Sequence, residues 1–264
     1  MTLPPAHELT RGDGRVLRYC LYGPDDGFPV IWHGGSPSSR WKWPHLIEAM
    51  ERSKLRHLVY DPPGYGGSTR LPGRTVADAA DDARVLADAH GWQRFGVFGG
   101  SGGGPHALAC AALLADRVTR CAVLSGIKPA DRPRDEPEVR SSLAGVAADV
   151  LARIEAGGPE APSRPGRAAR DDPDAMARIR ATFVDGRDGW VDDFLAFARP
   201  WGFTPGEIVA PVGIWRGTRD ANVSADHADW LLAHLPTAHG HVYDGEHLPG
   251  PAVYSEIYDW LRAG

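Results

Sequence analysis

The chain has 264 residues, 42% of them hydrophobic and 24% charged, with a formal charge of −5 and a pI near 6.1. This length suits one large domain, or one domain carrying an insertion, and it buries a core without disulfides. The composition is far from that of a disordered chain, and its mild acidity gives no reason to expect nucleic acid or an anionic membrane surface as a partner.

The three cysteines, Cys20, Cys110 and Cys121, are odd in number and lack a CxxC spacing, so neither a disulfide framework nor a zinc site is expected. Each falls in an apolar run and reads as a buried small hydrophobe. The opening MTLPPAHELTRGDGR has no apolar h-region, and no stretch reaches the roughly 18 uncharged apolar residues of a membrane span. A cytoplasmic location is the expectation.

In chain order, short apolar runs alternate with helical patterns, which predicts βα units around a parallel sheet. VLRYCLY (16–22) is followed by PVIWHG (29–34) and a helix near 41–52. RHLVYDP (56–62) leads to a helix near 76–90, in which Val76, Ala79, Ala80, Ala83, Leu86 and Ala87 form an apolar stripe. RFGVFGG (94–100) leads to a helix near 103–115, and RCAVLSG (120–126) follows. From about Lys128 to Pro205 the alternation stops. This Pro-, Arg-, Asp- and Ala-rich stretch, divided by GGPEAPSRPG, reads as a mostly helical insertion between two strands. Its Trp190, Phe194, Phe197 and Trp201 recur at helical spacing on one face, which either packs the insertion onto the sheet or lines a substrate pocket. Strand-like sequence resumes with PVGIWRG (211–217), a helix near 224–235, GHVYDG (240–245) and a helix near 251–262.

The sharpest signal is GVFGGSGGGPHALA (96–109). Gly99-Gly100-Ser101-Gly102-Gly103 satisfies Gly-x-Ser-x-Gly, between an apolar strand and an Ala/Leu helix with Pro105 in its first turn. A serine on such a turn projects into a cleft, and larger side chains two residues to either side would clash. A phosphate loop is the competing reading, but no Gly-Lys-Ser/Thr follows. Serine needs a base, usually a histidine held by a carboxylate, and the chain order expected with this turn is Ser, Asp or Glu, His. Asp220 just past PVGIWRG and His247 in the loop after the last strand-like run fit that order. Asp226 and Asp229 read as a solvated helix face. Asp244 and Glu246 sit badly for reaching beneath the imidazole, and His227, His234, His239 and His241 fall in helix or strand. In IWHGGSPSSRW (31–41) the glycines let a backbone N–H approach a developing oxyanion, so Gly35 and Gly102 are the candidate donors. His33 reads as a structural histidine, and YDPPGYGGST (60–69) as a tight supporting loop.

With HGGSP at 33–37, DPPGYGGS at 61–68, GGSGGGP at 99–105, IWRGTRD at 214–220 and GEHLPG at 245–250, the chain resembles the α/β-hydrolase superfamily. It looks most like the lid-bearing branch of epoxide hydrolases, haloalkane dehalogenases, proline iminopeptidases and many esterases. The resemblance implies an α/β-hydrolase fold, a mostly parallel central sheet flanked by helices, with core segments 1–127 and 206–264 and a helical cap at 128–205. It also implies a Ser101–His247–Asp220 triad, no metal or organic cofactor, and a small-molecule substrate; the oligomeric state stays open. Serine at 101, where epoxide hydrolases and dehalogenases carry aspartate, points to acyl-enzyme chemistry on an ester or related acyl bond. HGGSP in place of HGGPG, and a cap without an obvious acidic cluster for a free amino terminus, point away from peptidases. The same triad serves C–C bond hydrolases, lactonases, perhydrolases and non-hydrolytic pathway steps, and a non-catalytic ligand-binding protein is the remaining alternative.

Overall fold

A computed structural model describes residues 5–144 and 180–264. Eight strands form one sheet: β1 (His7–Thr10), β2 (Val16–Tyr22), β3 (Phe28–His33), β4 (Leu55–Tyr60), β5 (Phe95–Gly100), β6 (Val118–Leu124), β7 (Val212–Gly217) and β8 (Ala238–Tyr243). Their order across the sheet is β1-β2-β4-β3-β5-β6-β7-β8. All neighbours from β4 through β3 to β8 run parallel, while β1 and β2 pair antiparallel at one edge. β1 was not foreseen: its sequence, HELT, is short, polar and largely exposed, so it carries no burial pattern to read.

The central strands look like continuous apolar runs because both of their faces are covered. Successive residues still alternate between two cores. Ile31, Val97, Val123 and Ile214 face one layer, with α2 (Asp78–Ala89), α3 (Gly103–Leu113) and α5 (Ala225–His234). Val30, Trp32, Phe98, Ala122, Leu124 and Trp215 face the other, with α1 (Pro44–Arg52) and α6 (Pro251–Arg262). Proline opens both α1 and α6, where no intrahelical N–H partner is lost. The apolar stripe of α2 is buried as its spacing predicts. Cys20, Cys110 and Cys121 are buried in these cores and none is in a disulfide.

Between β6 and β7, the described residues contain no strand. Residues 136–144 are helical and α4 spans Asp188–Phe197. The Pro-rich break at 157–166 lies outside the described residues. One expectation is corrected here: Trp201 does not share a helix face with Trp190, Phe194 and Phe197. The helix stops at Phe197, ahead of Pro200, because a proline disfavours helical backbone in the residue before it. Trp201 lies beyond it, and its carbonyl accepts from the Ala77 amide at 2.9 Å.

This topology fixes where a site can form. The C-terminal ends of the parallel strands lie along one edge of the sheet, and the loops leaving β3, β5, β6, β7 and β8 gather there. No helix among the described residues is long and apolar enough to cross a membrane.

Candidate active site

Ser101 sits between β5 and α3 with φ of 54°, left-handed backbone that a serine rarely adopts. The surrounding glycines are forced by contact. A Cβ on Gly99 would stand 2.3 Å from the Gly103 carbonyl oxygen, and one on Gly103 would stand 2.1 Å from that of His33. Gly100 differs, since its nearest neighbour would be Phe98 Cε1 at 4.0 Å. Gly103→Ala should therefore destabilise the fold by about 3 kcal/mol or more, because backbone atoms cannot move aside as a side chain does. Gly100→Ala should stay within about 0.5 kcal/mol of wild type. Thermal unfolding of the two variants side by side checks the pair, and equal melting temperatures would contradict this account of the turn.

The Ser101 amide donates to the Leu124 carbonyl at 2.8 Å, which ties the turn to the end of β6. The next residue, Ser125, also has positive φ, 49°, and its Oγ donates to the His247 carbonyl at 3.2 Å. The Tyr243 hydroxyl donates to the same carbonyl at 3.3 Å and to that of Glu246 at 2.9 Å. These bonds hold the loop between β8 and α6 over the end of β6.

In that loop, His247 Nδ1 lies 2.8 Å from Asp220 Oδ2, with Asp220 just beyond β7. The other carboxylate oxygen accepts from the Asn222 and Val223 amides at 2.9 and 3.0 Å. The Asp220 side chain is only 3% exposed. Burial pushes its pKa up, but the Val223 amide, His247 and the Asn222 amide outweigh that and hold it below the ordinary carboxylate value. Asp220 is thus an ionised acceptor that fixes the imidazole's orientation and leaves Nε2 free of it. Ser101 Oγ and His247 share no hydrogen bond among the described residues; in ligand-free sites such bonds are commonly long and tighten with substrate.

The loop after β3 closes the other side. A Cβ on Gly35 would lie 3.2 Å from Ser101 Cβ, so the Gly35 backbone packs directly on the serine. A Cβ on Gly102 would meet Ser36 Oγ at 2.8 Å and Phe197 Cζ at 3.1 Å. Neither the Gly35 nor the Gly102 amide has an acceptor among the described residues. A cleft of about 330 Å³ is lined by Phe194 and Phe197 with Ile127, Pro129 and Ala130 on its apolar side, and by Lys128, Asp131, Arg134, Asp226 and His227 on its polar side. Phe197 links it to Gly102, and Lys128 is ion-paired to Asp131 and Asp226. Trp190 and Trp201 do not line it. Trp190 packs with Tyr65, Val139 and Leu195, and Trp201 belongs to the core over α2 and α3.

His33 lies below the loop, 1% exposed, with Nδ1 3.0 Å from the Tyr60 hydroxyl and Nε2 3.3 Å from Cys110 Sγ. Burial, and then repulsion by His106, lowers its pKa to about 3, so it is a neutral core group. The 60–69 loop is supportive, as expected: Asp61 is fully buried and ion-pairs with Arg40. The loop also docks α4. Arg70 pairs with Asp188 and Asp192, Arg74 with Asp193 at 2.7 Å, and the Tyr65 hydroxyl donates to Asp193 at 2.7 Å. An acidic cluster thus does exist on α4, but each of its carboxylates is already paired, and sequence reading missed it. Among the described residues, no three His, Cys, Asp or Glu side chains are grouped to hold a metal ion.

Comparison with known proteins bears on the fold. Residues 29–144 match the family described as alpha/beta hydrolase fold. A non-heme chloroperoxidase of Streptomyces lividans is 29% identical over 123 residues, 46% of this chain and 45% of the relative, so the chain aligns with less than half of that protein. A thermophilic esterase from Thermogutta terrifontis, solved with malate bound, is 25% identical with a TM-score of 0.69, covering 98% of both chains. An enol-lactonase from Burkholderia xenovorans LB400 superposes with a TM-score of 0.75 at 21% identity, over 97% of this chain and 99% of that one.

Proposed function

We propose that this chain, which has the α/β-hydrolase fold, is a serine hydrolase cleaving an ester or related acyl bond of a small apolar substrate. The observation that carries the reading is the Asp220–His247 pair, anchored by two backbone amides at the sheet edge where Ser101 stands on its strained turn. The Thermogutta esterase, alike in fold over nearly the whole chain, supports an ester as substrate.

In this mechanism Ser101 Oγ attacks the carbonyl carbon while His247 Nε2 takes its proton, and Asp220 stabilises the imidazolium. The amides of Gly35 and Gly102 receive the oxyanion; each such donor contributes about 3–4 kcal/mol to the transition state. His247 then protonates the leaving alcohol and activates the water that releases the acid. Phe194 and Phe197 offer an apolar wall to the acyl or alcohol group, and α4, which carries them, helps to shield the acyl-enzyme.

The test is hydrolysis of p-nitrophenyl esters from acetate to dodecanoate, with simple lactones alongside, and labelling by a fluorophosphonate probe. We expect turnover of short or medium esters and a single label on Ser101. A folded protein that neither turns over any ester or lactone nor takes the label would overturn the reading.

A further inference from the structure

Two carboxylates of α4 are buried, Asp192 at 3% exposure and Asp193 at 1%. Asp192 meets the partly exposed Arg70, whereas three groups from other parts of the chain converge on Asp193. The Ser36 hydroxyl donates to its Oδ2, as does that of Tyr65 at 2.7 Å. Arg74, itself buried, lies 2.7 Å from Oδ1 and donates to the Gly189 carbonyl at 3.0 Å. Burial alone would push the carboxyl pKa up; Arg74 above all, with the two hydroxyls, holds it below its ordinary value, so the group is charged. The helix can come this near because glycine meets glycine: a Cβ on Gly189 would stand 2.5 Å from the Gly64 carbonyl oxygen.

A buried charge this well partnered would be structural if it ended on the scaffold. One of its partners, however, is Ser36, which directly follows Gly35 and whose hydroxyl lies against Gly102. Both backbone amides proposed to hold the oxyanion therefore flank the group that Asp193 grips. A peptide plane beside Gly35 has little else to fix it, since its amide has no acceptor among the described residues and glycine tolerates rotation.

We propose that Asp193 is a positioning residue: through the Ser36 hydroxyl it holds the Gly35–Ser36 turn so that its amide faces the oxygen of the acyl group on Ser101. The catalytic part of this rests on the serine-hydrolase reading. It makes the docking of α4 a condition for a formed oxyanion site, and not only for a closed pocket.

Asp193→Asn leaves Arg74 buried without its counter-ion and can cost folding, so Ser36→Ala is the primary variant, because it keeps the Asp193–Arg74 pair. Two readouts are taken on the intact protein. The first is steady-state hydrolysis of p-nitrophenyl acetate. Ser36→Ala should lower kcat about 10- to 100-fold with KM within about twofold, the pattern of a lost transition-state contact. Where Asp193→Asn folds, the double variant should be no slower than Ser36→Ala alone. The second is hydrogen exchange of the 33–40 segment by mass spectrometry, which should speed up about 10-fold in either variant. A Ser36→Ala enzyme with kcat within twofold of wild type, or unchanged exchange in this segment, overturns the proposal. If wild type shows neither turnover nor fluorophosphonate labelling, the hydrolase reading fails separately, and the exchange result alone decides whether Asp193 holds the turn.

Discussion

Replacing Ser101 with alanine should abolish ester turnover while leaving the protein folded. Loss of the nucleophile from a Ser-His-Asp machinery lowers kcat about a millionfold, to a remnant supplied by oxyanion donors and binding. The effect is non-additive, so Ser101→Ala combined with His247→Ala should be no worse than Ser101→Ala alone. Stability should not follow activity. Ser101 pays for its left-handed backbone with roughly 1–2 kcal/mol of strain that alanine shares and glycine does not. Ser101→Gly should thus be as inactive as Ser101→Ala yet melt at a higher temperature. Hydrolysis of p-nitrophenyl acetate and thermal unfolding of the three proteins check both halves. More than about 1% of wild-type activity in Ser101→Ala would move the nucleophile elsewhere, and equal melting temperatures for the Ala and Gly variants would deny the strain.

Mild acid should destabilise the protein well above the pH at which carboxylates ordinarily protonate. His33, His57 and His106 are at most 4% exposed, and burial holds their pKa values down at about 3, 3 and 4. The unfolded chain protonates each near pH 6.5, whereas the native state keeps them neutral until far lower. The unfolded state therefore binds more protons between those values, and stability falls as pH falls through that window. At about pH 5 the three together cost about 6 kcal/mol relative to neutrality, at roughly 2 kcal/mol each. Asp61 opposes them. Burial, against the pull of Arg40, raises its pKa to about 6, so its protonation on acidification returns about 1 kcal/mol. Asp193 and Asp220, with lowered values, lose their contribution only below the ordinary carboxylate range and do not enter this window. The net loss should lower the melting temperature by roughly 10 °C or more between about pH 7 and pH 5. A melting temperature that stays level over that interval would mean that these histidines are protonated in the native state.

The parts of this molecule legible from sequence are those governed by local rules. Seven of the strands and five of the helices follow from strand-like runs and periodic stripes, and for the central strands burial on two faces leaves an unbroken hydrophobic signature. Ser101 was legible because close packing at Gly99 and Gly103 writes itself into residue identity. Asp220 and His247 were legible through chain order and their places after strands, and the structure brings those two within hydrogen-bonding distance. Asp193 was not. It follows Asp192 in a charged helix, and nothing local separates an aspartate gripping Arg74 in the interior from one that meets Arg70 nearer the surface. Ser125 and Tyr243, which pin the His247 loop, are likewise ordinary strand-end residues until β6 and β8 come to flank β7. Trp201 misled because a spacing of four continues a helical pattern even where the backbone has left the helix.

The sheet order also sets the fragility of the site. β8 is the terminal strand, paired on one side only among the described residues, with half of its residues exposed and none fully buried. His247 hangs from the loop that this strand leads into, whereas Ser101 rises from β5 in the middle of the sheet. Fraying therefore begins on the side that carries the imidazole, and local opening there needs far less free energy than global unfolding. On the proposed mechanism, a molecule that has lost only β8 and α6 keeps the turn, the glycines and the inner core, yet has no base to activate the serine.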